Sequence, residues 1–130
     1  MRVLRTYQPP GHVAPLWAFV ASLEPKLQRK LQRQFHMLAF AEISDLKEPH
    51  YKHFVLEKYS QFYELREKSK ILVRIIFVIC DEDILLLTPF IKRQPRDTMR
   101  ALDASLRMLA EIREHPDYAV NMDHVEEETV

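Results

Sequence analysis

The sequence predicts an α+β protein in which helices pack on a small sheet. The first observation is a set of three apolar runs separated by short charged turns, which is typical of consecutive strands: Phe62–Leu65, Ile71–Cys80 and Ile84–Leu87. The second is apolar residues at helical spacing, in two segments before these runs and in one after them. With a short strand at the start, the predicted order is strand, helix, helix, three-stranded antiparallel meander and helix. We expect the first two helices to cover one sheet face and the last helix to cover the other face or an edge.

The elements before the meander are predicted in chain order. Val3–Tyr7 alternates weakly and predicts a short strand. Val13–Leu23 predicts a first helix, because its apolar residues recur at helical spacing. Pro15 fits the first turn of that helix, where a missing N–H is tolerated. The second helix is predicted from Pro25 to about Ala41. Its apolar positions form one stripe, made by Leu27, Leu31, Phe35 and Leu38.

The exposed side of the second predicted helix is basic. It carries four bases, with no acidic residue between Pro25 and Ala41: Lys26, Arg29, Lys30 and Arg33. One interpretation is a solvated face whose long aliphatic stems cover apolar surface. The other is a basic ridge that binds the phosphate backbone of a nucleic acid. The helix alone leaves both interpretations open.

The remaining segments are less regular. Glu42–Tyr59 is charged and predicts a loop with a short helical turn at Tyr51–Glu57. The last helix is predicted from about Thr98 to Glu114, with Asp97 or Thr98 as its cap. Its apolar stripe consists of Met99, Leu102, Leu106, Leu109 and Ile112.

Length and charge predict a single basic domain with an acidic end. A chain of 130 residues is long enough for one domain and too short for two, so we assign the domain to residues 1–118 and an acidic tail to residues 119–130. The net charge is zero, but 123–130 holds four acids and no Lys or Arg, which leaves 19 bases against 15 acids in 1–122. That balance favours contact with phosphate or with an acidic partner, although it is common among small domains.

Composition excludes several classes of site. One glycine is too few for a phosphate-binding loop of the Walker or dinucleotide type. Cys80 is the only cysteine, so no intramolecular disulfide forms, and its apolar surroundings predict a core position. His50 and His53 lack the further ligands that a zinc site needs. No leader or membrane-spanning run is recognisable, so we expect a cytoplasmic protein without cofactor, metal or membrane partner.

One charge interrupts the apolar middle strand. Arg74 cannot be neutralised at ordinary pH, so it needs a partner or a cleft. Glu64 on the preceding strand offers such a partner across the hairpin. A register that sets Glu64 opposite Arg74 places Arg66 on the same face, whereas a slip of one residue places Tyr63 there. The register is left open by the sequence.

The meander resembles a known family. The strand Phe62-Tyr63-Glu64-Leu65-Arg66, the strand segment Val73–Phe77 and the segment Leu85–Arg93 follow one another as in the RelE/ParE toxin superfamily, and most closely as in its HigB-like, phage-derived branch. The likeness extends from about Val13 to Ile112 and includes Ser22–Lys26 between the two helices. The resemblance implies a RelE-like fold and the toxin of a type II toxin–antitoxin pair.

The resemblance also implies an activity and its partners. RNA-cleaving members are mRNA interferases that act on mRNA, typically in the ribosome, and a cognate helix-turn-helix antitoxin silences them. They need no metal: the ribose 2′-hydroxyl attacks the adjacent phosphate. Cations from three adjacent strands suit that chemistry. We therefore predict Arg74, Lys92 and Arg66 as catalytic residues, and substrate contacts from Arg93, Tyr63 and the basic residues Lys26, Arg29, Lys30 and Arg33 of the second helix.

Two questions stay open in this prediction. Where the branch often has a histidine before the phenylalanine of the last strand, this chain has Thr88-Pro89, and the proline implies a bulge or a strand end there. The general base is then one of four residues: Lys92, Tyr63, His115 or Tyr118. The alternative functions are a non-catalytic, ParE-like inhibitor of DNA gyrase and a phage-derived binding protein without enzymatic activity.

Overall fold

The computed structural model describes residues 1–122, and residues 123–130 lie outside the described part. Residues 1–122 form three α-helices and six strands. In chain order these are β1 (Val3–Tyr7), α1 (Pro15–Ala21), α2 (Pro25–Phe40), β2 (Tyr51–His53), β3 (Phe62–Lys68), β4 (Leu72–Cys80), β5 (Asp83–Ile91), α3 (Pro95–Glu114) and β6 (Ala119–Asn121).

The strands form one mixed sheet in the order β2-β3-β4-β5-β1-β6. Strands β3, β4 and β5 are the predicted antiparallel meander. β1 pairs with β5 in parallel, and its other edge pairs with β6 in antiparallel fashion. The register along β4 and β5 shifts between Ile75, which lies opposite Pro89, and Phe77, which lies opposite Leu86. Of the two alternatives that Pro89 implied, a bulge or a strand end, the structure shows an irregularity within a strand that continues to Ile91.

Helices cover both faces of the sheet. The apolar stripes of α1 and α2 pack on one face, where β3, β4 and β5 contribute Leu65, Val73, Ile75, Phe77, Ile84 and Leu86. On the other face, α3 packs through Ala101, Leu102 and Leu109 on the alternate residues of the same strands, among them Phe62, Ile76, Val78, Leu85 and Leu87. β4 is covered on both sides, as its nearly continuous apolar run predicts. The α+β class and the division of the helices between the faces are confirmed.

Proline and a capping box set the helix starts. Pro15, Pro25 and Pro95 each occupy the first turn of a helix. α3 begins at Pro95, earlier than the predicted Thr98. Its N-cap is Gln94 and not Asp97 or Thr98, and the Asp97 carboxylate accepts the backbone N–H of Gln94 at 3.0 Å. Asp97 therefore caps the helix from its third position, as the acidic partner of a capping box.

Three features differ from the prediction. Tyr51–His53 is a strand that pairs with β3, and the helical turn predicted at Tyr51–Glu57 is reduced to a 3₁₀ turn at Glu57–Tyr59. Ala119–Asn121 pairs with β1, so the predicted tail of residues 119–130 begins too early; Met122 is also buried, and the rest of that tail lies outside the described residues. Cys80 is exposed, because it ends β4 beside the turn at Asp81 and does not reach the core.

Within residues 1–122, no helix combines the length and the apolar character that a membrane crossing requires.

Candidate functional site

The register of the meander places three predicted catalytic residues on one face of the sheet. Arg66 lies directly opposite Arg74, and Arg74 lies opposite Phe90 on the next strand. The backbone N–H of Lys92 bonds the carbonyl oxygen of Leu72 at 2.9 Å, which continues this pairing past the end of β5. Side chains two residues apart on a strand share a face, so Lys92 joins Phe90 and Arg74. This is the face that α3 covers farther along the strands.

Neither of the two registers considered from the sequence is the one observed. Glu64 lies opposite Ile76 and not opposite Arg74. Glu64 is nevertheless on the arginine face, because it precedes Arg66 by two residues on β3. Its position is therefore diagonal to Arg74.

A buried carboxylate lies between the two arginines. The side chain of Glu64 is 1% exposed, and its Oε1 accepts a hydrogen bond from Arg66 Nε at 2.9 Å. The same oxygen is 3.9 Å from Arg74 Nε, which is an ion-pair distance but too long for a hydrogen bond. Glu64 Oε2 is buried and has no hydrogen-bond partner among the described residues. One carboxylate thus faces two guanidinium groups and is directly bonded to only one of them.

Arg66 is the more fully paired of the two arginines. In addition to Glu64, it contacts Glu48, whose Oε1 lies 3.3 Å from Arg66 Nη1. The side chain of Glu48 is 68% exposed, so this second contact is a surface ion pair of small energetic weight. Arg66 is therefore paired with one buried and one exposed carboxylate of the same chain.

The guanidinium of Arg74 has fewer hydrogen-bond partners than that of Arg66. Its side chain is 14% exposed, and its Nε is buried without a hydrogen-bond partner in residues 1–122. Burial lowers the pKa of the Arg74 guanidinium, Glu64 opposes this change, and the neighbouring Arg66 adds to it. A guanidinium is not deprotonated in proteins at ordinary pH, so Arg74 keeps its charge. The result is a partly buried cation with unused hydrogen-bonding capacity.

The two cations at the end of β5 lie close in sequence but differ in exposure. Lys92 is half-buried, and Arg93 is exposed. The backbone N–H of Arg93 donates to Asp97 Oδ2 at 2.8 Å, which ties the end of the strand to the start of α3. Lys92 is thus the cation that extends the Arg74 face, with Arg93 at its solvent border.

Tyr63 does not belong to this face. It lies on the α1 and α2 side of the sheet, where its ring is stacked between His53 at 4.3 Å and Phe77 at 5.4 Å, measured between ring centroids. The sheet separates it from Arg66 and Arg74. Tyr63 and these arginines therefore lie on opposite faces, because successive residues of β3 point to opposite faces, and a substrate contact of Tyr63 stays a prediction.

The basic residues of α2 are also separated from the arginine face. Lys26, Arg29 and Arg33 are exposed and Lys30 is half-buried, on a helix that packs on the same sheet face as Tyr63. The predicted cations therefore divide between two surfaces. One is the site of Arg66, Arg74 and Lys92, and the other is the basic ridge of α2.

Geometry narrows the choice of a general base. His115 and Tyr118 follow α3, whose 20 residues lead away from Lys92 over about 30 Å. Their rings stack on each other, with centroids 4.7 Å apart. Tyr63 is behind the sheet. Of the four candidates, Lys92 alone shares the arginine face, and Glu64, considered from the sequence only as a partner of Arg74, is a further acid–base group there.

The signal for Glu64 was present in the sequence. Glu64 and Arg66 are spaced i, i+2 in a strand, which places them on one face whatever the pairing register. Glu48 had no such signal, because it comes from the irregular segment before β2.

Within the described residues, no group of three or more His, Cys, Asp or Glu side chains is arranged to hold a metal ion. The chain matches no protein-family model, no curated protein and no solved structure. Membership of the RelE/ParE superfamily therefore stays a prediction from the motifs of the meander.

Proposed function

We propose that the protein is the toxin of a type II toxin–antitoxin pair and acts in the cytoplasm as a metal-independent mRNA interferase. Its substrate is mRNA, cleaved on the ribosome, and a helix-turn-helix antitoxin silences it. The proposal rests on the family resemblance together with one observation. Arg74 is a partly buried cation whose Nε has no hydrogen-bond partner within residues 1–122, and it lies beside Arg66 and on the same face as Lys92.

The proposed chemistry needs fixed positive charge around one phosphate. The ribose 2′-oxygen forms a bond to phosphorus, the bond from phosphorus to the 5′-oxygen breaks, and a 2′,3′-cyclic phosphate and a free 5′-hydroxyl result. The proton of the 2′-hydroxyl passes to a base, and the leaving 5′-oxygen gains one. Negative charge grows on the non-bridging oxygens, where preorganised cations stabilise the transition state most.

The three cations are suited to different parts of this task. Arg74 presents a planar fork to a phosphate, and Lys92 presents a point charge at the open end of the strand. Arg66 is held by Glu64 at 2.9 Å and by Glu48 at 3.3 Å. Its charge therefore contributes electrostatic stabilisation, but its guanidinium is not free to bind the phosphate with two hydrogen bonds. In this proposal Arg74 binds the phosphate. Lys92 lies nearest to the proton that the 2′-hydroxyl loses and to the proton that the leaving 5′-oxygen gains.

The decisive experiment compares wild type, Arg74→Ala and Arg113→Ala after induction in cells, with primer extension on mRNA. Arg113 is an exposed arginine on α3 and serves as the matched control. We expect discrete new RNA ends with wild type and with the control, and about 10²- to 10³-fold fewer with Arg74→Ala, the usual effect of removing one transition-state donor. Growth arrest by all three variants without new RNA ends would contradict the proposal.

A second candidate function is a non-catalytic inhibitor that works by binding, as a ParE-like inhibitor of DNA gyrase does, or a phage-derived binding protein without chemistry. The observation that favours it is the neutralisation of the site: two carboxylates, Glu64 and Glu48, approach Arg66, and one of them also approaches Arg74. Such pairing suits a structural role. Inhibition of supercoiling by gyrase, unaffected by Arg74→Ala, is the outcome that this candidate predicts.

A further inference from the structure

A cavity with a volume of about 370 Å³ lies on the sheet face opposite to Arg74. Residues of α1, α2, β1 and β6 line it, and they bring Trp17, Phe35 and Leu4 together there. Sites for small ligands usually measure about 300–1,000 Å³, so this cavity suits one small group. A peptide helix, which is about 10–12 Å wide, is too large for it. We call it the Trp17 cavity.

The lining of the Trp17 cavity is rich in aromatic rings. Phe35 is 5% exposed, whereas Phe40, which lines the same cavity, is 58% exposed. The rings of His36 and Phe40 are tilted against each other, with their centroids 5.0 Å apart. A large aromatic side chain that stays exposed beside a cavity offers a face on which a planar ring can stack. The lining therefore favours a planar aromatic group.

The polar groups of the Trp17 cavity match the edge of a nucleobase. The exposed Gln32 and the half-buried Asn121 bring side-chain amides from α2 and β6, and each amide carries both a donor and an acceptor. The indole Nε1 of Trp17 is buried and has no hydrogen-bond partner within residues 1–122. A buried donor without an acceptor is costly, so a ligand that supplies an acceptor is favoured. Nucleobases combine a planar ring with donors and acceptors along its edge.

The basic ridge of α2 lies beside the Trp17 cavity. Arg29 and Arg33 line an adjoining concavity that shares two residues of α2 with this cavity. Both arginines are exposed, and within residues 1–122 no salt bridge joins them to a carboxylate. Counted from Lys26 to Arg33, the ridge extends over about 10 Å of helix. Its positive charge therefore suits successive phosphates of one strand, which arginine binds with two parallel hydrogen bonds.

We propose that the Trp17 cavity binds one base of a single-stranded RNA, while the basic ridge of α2 binds the phosphates that flank this base. Aromatic side chains beside a positively charged groove are the usual means of holding a single strand. An acidic peptide would contact the ridge and leave the cavity empty, and an apolar molecule would leave the arginines unused. The choice of RNA rests on the proposed function. The base site itself does not, because the sheet separates it from Arg74.

The test uses the full wild-type chain and a hexamer of adenosine whose riboses carry 2′-O-methyl groups, so that no 2′-hydroxyl can attack a phosphate. Trp17 is the only tryptophan, so its fluorescence reports on the cavity alone. The anisotropy of a dye on the same RNA reports on total binding. We expect the RNA to quench the fluorescence of Trp17 with the same midpoint as the rise in anisotropy. Adenosine monophosphate, which has one phosphate, should bind much more weakly.

A first pair of variants tests the contact with the base. Phe40→Ala should weaken RNA binding about 5- to 150-fold, the usual effect of removing one stacking contact. Val55→Ala is the matched control, because Val55 is an exposed apolar residue elsewhere in the chain, and its affinity should equal that of the wild type.

A second pair tests the contact with the phosphates. Arg29→Gln together with Arg33→Gln should make the slope of log K against log salt concentration less negative by about 1.4, because each lost phosphate contact of a single strand removes about 0.7. The control carries Arg107→Gln and Arg113→Gln at exposed positions of α3, and its slope should be that of the wild type.

Three results would overturn the proposal. RNA binding without quenching of Trp17 would place the base outside the cavity. A Phe40→Ala variant that binds as tightly as Val55→Ala would exclude the stacking contact. Equal affinity for hexaglutamate or for adenosine monophosphate would assign the surface to another ligand. If wild type cleaves mRNA but fails this test, only this inference is wrong, whereas RNA binding without cleavage would contradict only the proposed function.

Discussion

Glu64 is the residue whose replacement tests the description of the site most directly. Its carboxylate is 1% exposed and lies 2.9 Å from Arg66 Nε and 3.9 Å from Arg74 Nε. Glu64→Gln keeps the size of the side chain and removes its charge. Two arginines that face each other across a strand pair then lose the anion between them, and like charges at such positions repel.

Two effects of opposite sign set how much Glu64→Gln lowers the free energy of unfolding. Removing one partner of a buried ion pair usually destabilises a protein by about 3–5 kcal/mol, because a charge is left uncompensated. Here the side chains of Arg66 and Arg74 are 20% and 14% exposed, and Arg66 keeps Glu48, so water and the second acid recover part of the loss. The neutral amide also escapes the desolvation penalty of the carboxylate. We therefore expect a loss near the lower end, about 3 kcal/mol.

Urea denaturation measures this difference. We expect Glu64→Gln to lower the unfolding midpoint with an unchanged slope, since the surface exposed on unfolding stays the same. Glu48→Gln is the matched control, because it removes the exposed acid from the same arginine and should cost about 0–1 kcal/mol. If Glu64→Gln were as stable as Glu48→Gln, the arginines would have to be stabilised by solvent. The buried ion pair would then contribute nothing to the stability of the protein.

Three further predictions concern separate parts of the molecule. Lys92→Met should lower RNA cleavage about 10²-fold in the primer-extension assay, whereas Tyr63→Phe should leave it unchanged, because Tyr63 lies behind the sheet. Burial and the hydrogen bond to Glu111 raise the pKa of Tyr7 to about 12. The stabilisation that the protonated Tyr7 hydroxyl provides is thus complete below the unfolded pKa of about 10 and is lost as the pH rises toward 12. Alkaline unfolding curves should show this loss in the wild type and not in Tyr7→Phe. Phe77→Ala removes a fully buried ring stacked on Tyr63 and should cost about 3–5 kcal/mol in urea denaturation, and a smaller loss would mean that the core collapses around the gap.

The long elements were predictable because their patterns are long. The apolar stripe of α2 repeats over four turns and the run of β4 over nine residues, so the helix and the central strand were identified with nearly correct ends. β2 and β6 have three residues each, too few for any period to show. They are strands because a neighbouring strand edge pairs with them, which is tertiary information.

The site was only partly predictable for a related reason. Arg74 stood out because a charge interrupts an apolar run, and that signal needs no register. The partners of Arg74 depend on pairing, and a shift by one residue exchanges the two faces of a strand. This is why the sequence left open whether Arg66 or Tyr63 shares the face of Arg74. The acidic partner Glu48 comes from a loop, whose course the local sequence does not determine.

The position of β1 has a consequence for the order of folding. Thr6 donates its hydroxyl hydrogen to the carbonyl oxygen of Leu86, 80 residues later, and β6 then pairs with the other edge of β1. The first strand to leave the ribosome must therefore wait unpaired until β5 has emerged, whereas the β3–β5 hairpins close over short loops. A nascent chain halted before β5 would expose the edge of β1, and we expect that arrested intermediate to recruit chaperones or to aggregate.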